Sequence, residues 1–235
     1  MHDENGFSSS KKHYQKNQTN IYFHTTLDYN SCMKVGENMN YKKQLDFMLE
    51  QKKGILLESE ALAAGISKYH FFEYVKNEEL ERVAPGIYLL EDAWEDGMYI
   101  LQSRYTQAVF SHETALYLLG MAEREPLRYT VTVKGKYNSP ALKAQGVKIY
   151  RIKPELHELG IIHAESPGGH TVRLYNAERT ICDIIRSRRN VEIQDFQVAL
   201  KEYVRRKDKN IPRLMEYAAQ FRVETILRKY LEVLL

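Results

Sequence analysis

Apolar residues recur at helical spacing shortly after Met39: Leu45, Met48 and Leu49 share one face of a segment that Gly54 ends. Ser59 then stands as the cap of a short helix over 60–64 that stops at Gly65. Ser67 is placed to cap a second helix over 68–77. Two short helices around Gly65, with the apolar Ile66 between them, fit a helix-turn-helix. Residues 80–83 and 87–89 flank Pro85-Gly86 and read as a hairpin. Helix, helix-turn-helix and hairpin in that order predict a winged helix-turn-helix over 39–96.

The acidic run 91–96 (EDAWED) marks the expected junction to a second domain, 97–235. Helical pattern resumes over 98–110, and Ser111 is the expected cap of a further helix that stops at Gly120. Strand-like stretches follow at 129–133, 147–152, 160–164 and 171–175, punctuated by Asn138-Ser139-Pro140 and Pro167-Gly168-Gly169. From Asn176 on, the pattern predicts helices over 177–188, 192–207, 212–221 and 223–234. Strands grouped first and helices grouped after predict an α+β fold. Its C-terminal domain is mixed α/β, with a small sheet and a helical C-terminal end. Residues 1–38 differ from all of this, being rich in Ser, Asn, Lys and Tyr without a sustained period, and read as a disordered leader. Codons for Gly36-Glu37-Asn38 can spell a ribosome-binding sequence ahead of Met39, so a true start at Met39 is the expectation.

Composition narrows the class. Hydrophobic residues at 43% and charged residues at 28% suit a globular protein with an ordinary core. No run of about 18 apolar residues occurs, which argues against a helical membrane span. Residues 1–10 lack the apolar segment of a secretory signal. Cys32 and Cys182 are too few for a disulfide framework, and the cytoplasm is the expected compartment. The net charge of +3 hides an asymmetry. Residues 39–100 carry seven basic and twelve acidic side chains, whereas 101–235 carry twenty-three and fifteen. A polyanion is therefore expected to meet the C-terminal part.

Two groups of residues are candidates for contact with double-stranded DNA. On the second helix and the hairpin, Ser67, Lys68, Tyr69, Phe72, Lys76 and Arg82 fall opposite the apolar positions Phe71, Tyr74 and Val75. Those few cations among five nearby acids supply little phosphate affinity. A basic surface drawn from Lys134, Lys136, Lys148, Arg151, Arg173, Arg186, Arg188, Arg189, Arg205, Arg206, Lys207 and Lys209 is expected to supply the rest. Solvated helix faces and a protein-contact winged helix remain the alternatives. Signals of catalysis are weak. His157, His163 and His170 have no metal-ligand spacing, Pro167-Gly168-Gly169-His170 lacks a P-loop ending, and Cys182 lies in an apolar helical pattern. Neither cofactor, metal nor enzymatic activity is expected.

Three segments resemble the AbiEi antitoxins of type IV toxin–antitoxin systems: GISKYHFFEYVKNEELERVAPGIYLL at 65–90, FSHETALYLLG at 110–120 and YNAERTICDII at 175–185. The last two, in this order and spacing, are the specific part. The resemblance spans nearly all of 39–235. It implies an N-terminal winged helix that represses the protein's own operon through promoter inverted repeats, followed by an antitoxin domain. It also implies action against a nucleotidyltransferase toxin without a stable complex, and it assigns no catalytic residue. A monomer that binds DNA in several copies is the matching expectation. Two other readings stay open: a plain regulator whose C-terminal domain senses a ligand or oligomerises, and a nucleic-acid-processing enzyme with a winged-helix targeting module.

Overall fold

A computed structural model describes residues 41–122 and 124–234; the expected leader 1–38 and the start at Met39 lie outside them. From Tyr41 on, the chain forms one compact α+β unit with two small sheets and a helical C-terminal end.

Helix α1 (Tyr41–Gln51) buries Leu45, Met48 and Leu49 on one face. Strand β1 (Ile55–Leu57) follows directly, then α2 (Glu58–Ala63), α3 (Lys68–Asn77) and the hairpin β2 (Glu81–Ala84) and β3 (Ile87–Leu89). The strands form an antiparallel sheet in the order β1-β3-β2. Both faces of the β1–β3 pair are buried, while Glu81 and Arg82 on β2 are exposed. Leu56 and Tyr88 point into the core made by α1, α2 and α3, where they meet Leu45, Phe71 and Tyr74. Ile55, Leu57, Ile87 and Leu89 point the other way, into a core shared with the second sheet. Gly86 turns the hairpin at φ +74, a conformation glycine adopts without strain.

Helix α4 (Gly97–Arg104) leads to β4 (Val109–Phe110) and α5 (His112–Leu118). The remaining strands are β5 (Thr130–Lys134), β6 (Lys148–Ile152), β7 (Ile161–Glu165) and β8 (Thr171–Tyr175). They form a mixed sheet ordered β6-β5-β4-β8-β7, with β5–β6 and β4–β8 parallel. One face, with Phe110, Val131, Val133, Val172 and Leu174, joins the shared core. The opposite face carries Thr130, Thr132 and Tyr175 toward α5 and α8 (Ala177–Arg186). Beyond a 3₁₀ turn (Arg188–Asn190), α9 (Ile193–Arg205), α10 (Ile211–Gln220) and α11 (Glu224–Leu234) close a third core around Ile181, Leu200, Leu214 and Leu227. Two short helices, α6 (Pro140–Ala144) and α7 (Pro154–His157), precede β6 and β7. Among the described residues no helix is long and apolar enough to cross a membrane.

Several boundaries differ from the sequence expectation. The α2 helix starts at Glu58, so Ser59 lies inside it, and Leu57 at its cap makes no side-chain bond. The stretch 98–110 is not one helix: α4 ends at Arg104, and Val109–Phe110 becomes the central strand because the pairings to β5 and β8 outweigh helical propensity. Ser111 occupies the cap position of α5 without capping it. Its hydroxyl instead accepts a hydrogen bond from Thr132 Oγ1 at 2.9 Å and lies 3.0 Å from His112 Nδ1. Pro140, expected in a turn, opens α6 with Ser139 as its cap.

Candidate nucleic-acid interface

Helix α3 is built from its cap outward. Ser67 Oγ accepts from the His70 backbone N–H at 3.2 Å, one of the free donors of the first turn. Phe71 and Tyr74 are buried one turn apart, which turns Lys68, Tyr69, Phe72 and Lys76 to the exposed side. Arg82 is exposed on β2, opposite Tyr88 in the hairpin and next to a bulge. The local acids are largely engaged. Glu58 pairs with Lys68 at 3.7 Å, Glu78 with Lys42 at 2.8 Å and Glu60 with Lys52 at 3.4 Å. Glu73 accepts from the Tyr41 hydroxyl at 3.1 Å, and that bond raises the tyrosine's pKa. Tyr74 donates to Asp46 at 2.6 Å; burial, then Asp46, pushes the phenol's pKa up.

The candidate basic residues of the C-terminal part divide into two kinds. Seven are held by the fold. Lys148 donates to Glu113 at 2.7 Å and to the Asn190 carbonyl at 2.9 Å. Burial works against its ammonium, but the hydrogen bond to Glu113 and the nearby Tyr150 outweigh it and leave the pKa above the ordinary lysine value. Lys134 pairs with Glu158 at 2.9 Å, Arg205 with Glu202 at 2.8 Å, and Lys209 donates to the Arg206 carbonyl at 3.1 Å. Arg173 spans the carbonyls of Thr106 and Ala108. Arg206 grips Asp208 with two hydrogen bonds and donates to the Leu119 carbonyl at 2.8 Å. Arg188 donates to the Ile185 carbonyl at 3.2 Å and is otherwise exposed. Lys136, Arg151, Arg186, Arg189 and Lys207 are exposed, and their side chains make no hydrogen bond or ion pair with another described residue. Strand alternation sends Lys148 and Arg151 to opposite faces of the edge strand β6. Lys148, bonded to Asn190, brings that strand beside the turn bearing Arg188 and Arg189, which follows Arg186 at the end of α8.

Two buried polar clusters were not assigned from sequence. In the first, Asp96 Oδ1 caps α4 by accepting from Tyr99 N at 3.1 Å. Its Oδ2 accepts from Ser166 Oγ and lies 2.8 Å from His170 Nδ1. His170 Nε2 faces the Lys52 carbonyl at 3.0 Å, and the ring stacks on Tyr99 with centroids 4.4 Å apart. The residue types suggest a nucleophilic triad, but the serine hydroxyl and the imidazole both bind the carboxylate, and the serine hydroxyl accepts from the His170 backbone N–H at 3.0 Å, not from or to the ring. All three side chains are buried. The sequence signals were the last acid of the 91–96 run ahead of a helix and His170 closing a Pro-Gly-Gly turn. In the second cluster, His112 lies between Ser111 Oγ and Ser187 Oγ at 3.0 and 3.1 Å and stacks on Tyr150 at 3.7 Å. Below it Arg179 is wholly buried between the rings of Tyr175 and Phe221, each 4.1 Å away, and bonds Asp183 at 3.0 Å. Burial raises the Asp183 carboxyl more than Arg179 lowers it. Cys182 is buried beside them. No group of three or more His, Cys, Asp or Glu side chains among the described residues could hold a metal ion. A cavity of about 490 Å³ opens beside the hairpin, lined by Val83, Ala84, Ile100, Arg104, Arg128 and Val147 among others.

The class these features define is an α+β chain whose helix-and-hairpin unit shares a core with a mixed five-stranded sheet. A crystal structure of the RV2827C protein from Mycobacterium tuberculosis is similar, with a TM-score of 0.52 at 14% identity over 76% of this chain and 71% of that one. At that identity the likeness shows a common fold alone. No family model matches the chain, and no curated protein matches it.

Proposed function

We propose that this protein is a DNA-binding transcriptional autorepressor and the antitoxin of a type IV toxin–antitoxin system. Residues 39–96 act as the winged helix-turn-helix and 97–235 as the antitoxin domain. The observation that carries the DNA-binding half is α3: a capped helix with a fixed apolar side and an exposed side of Lys68, Tyr69, Phe72 and Lys76, followed by a hairpin presenting Arg82. Recognition helices present their exposed N-terminal residues to base edges in this way. The antitoxin half rests on the AbiEi-like segments 110–120 and 175–185. These pack on each other, with Leu116 in one core with Ile181 and Ile184.

Free cations on the second part supply the phosphate contacts. Full-length protein is expected to bind the segment upstream of its own gene more tightly than unrelated DNA in a gel-shift titration. Replacing Arg186 and Arg189 by Ala is expected to reduce the salt slope by about 0.9 for each phosphate contact removed. Co-expression with the neighbouring toxin gene tests the second half: growth is restored by the full chain. Equal affinity for unrelated DNA would overturn the repressor reading, and continued toxicity the antitoxin reading.

A further inference from the structure

We infer that Phe72 and Tyr69 read thymine, their rings meeting the 5-methyl groups of thymines in the major groove. The inference rests on the DNA-binding reading above and deepens it by naming how the sequence is chosen. The N-terminal half of α3 carries none of the Arg, Asn or Gln side chains that make bidentate bonds to guanine or adenine. Lys68, the cation nearest the helix start, is engaged by Glu58 at 3.7 Å, and Lys76 lies in the last turn. Ser67 Oγ is spent on the cap, His70 is stacked on Tyr41 and Glu73 accepts from the Tyr41 hydroxyl, so what remains for a base edge is aromatic. Tyr69 is 73% exposed and Phe72 44% exposed, on a helix whose other large apolar residues are inside. Of the four bases, thymine offers the apolar group in the major groove, and Phe is among the side chains that contact it.

The rings are also held for the task. Phe72 packs edge-to-face on Phe71 and Tyr88, with centroids 5.4 and 6.3 Å away, and both of those are buried. Tyr69 meets His70 edge-on at 5.5 Å, and His70 is itself stacked on Tyr41 at 4.2 Å. Rings already fixed lose little freedom on contact. Residues three apart on a helix have side chains roughly 5–6 Å apart, and bases on one strand step by about 3.4 Å. The two rings therefore address thymines one or two steps apart.

The test uses full-length protein at fixed salt and the segment upstream of its gene, amplified once with thymidine and once with deoxyuridine triphosphate. Uracil removes only the methyl. Wild type is expected to prefer the thymine probe by about fourfold for each methyl contacted, the equivalent of about 0.8 kcal/mol for each buried group. Phe72→Ala should bring the ratio down by the share of the methyls that Phe72 covers, and Phe72→Leu should restore part of it. Lys76→Ala should weaken both probes alike. Equal affinity of wild type for the two probes would overturn the inference while leaving DNA binding intact. A full ratio retained in Phe72→Ala would overturn it too, since the methyls would then act through DNA shape. Failure to bind either probe would overturn the DNA-binding reading itself.

Discussion

Thr130 and Thr132 alternate with Val131 and Val133, a pattern that in an antiparallel sheet marks one buried and one solvated face. Here both threonines are as buried as the valines, because α5 and α8 cover the polar face. The hydroxyls are satisfied by Glu113 Oε2 at 3.1 Å and Ser111 Oγ at 2.9 Å. His112 completes this layer. Burial lowers its pKa well below the usual value, and Lys148, Arg179 and Arg186 act in the same direction. Below pH of about 6.5 an unfolded chain binds a proton on this ring that the folded chain refuses. The contribution of His112 to stability is thus present above that pH. It is lost as the pH falls, by up to about 1.4 kcal/mol per unit. His112→Asn, a residue that tolerates the backbone φ of +49, is expected to flatten the loss between pH 7 and pH 5 in urea denaturation.

At the scale of elements, α8 is the member most enclosed by the others, buried at every position from Ala177 to Ile185. Asn176 starts it by accepting from Arg179 N at 2.9 Å. Asn176→Ala is expected to lower stability by about 1 kcal/mol, measured as a shift in denaturation midpoint at constant slope. Gly160 packs against the same start at φ +80, where a Cβ would lie 2.9 Å from Arg179 Cβ. The amphipathic helices α1, α3, α9, α10 and α11 were legible because one face of each stays exposed and the apolar spacing survives in the sequence. Strands β5 to β8 were legible by β-branched content and turns. Strand β1 was not, since Ile55, Leu56 and Leu57 are buried on both sides and show no alternation. The two-residue β4 is a strand only through its neighbours β5 and β8.

Across the whole molecule, the small sheet and the five-stranded sheet share one hydrophobic core, and the Asp96–Ser166–His170 cluster fastens them from the side. His170 spends one ring nitrogen on Asp96 and the other on the Lys52 carbonyl, while Lys53 Nζ donates to the Gly169 carbonyl at 2.9 Å. The turn 166–170 is thereby tied to the end of α1. Asp96→Ala strips a buried histidine and serine of their acceptor and is expected to cost about 1–3 kcal/mol for each donor left unpaired. In calorimetry the wild type should melt as one cooperative transition, and this variant at a markedly lower temperature. Local pattern determined the amphipathic helices, the hairpin and the exposed residues of α3, since each depends on neighbours within a few residues, and composition by segment determined the charge asymmetry. Only the tertiary structure decided which cations are free. Lys148, Arg173 and Arg206 are drawn to carboxylates and carbonyls distant in sequence, and charge counts register none of those partners. Tertiary structure also brought Asp96 to His170, two unremarkable residues seventy-four positions apart that the chain cannot connect until both sheets are built.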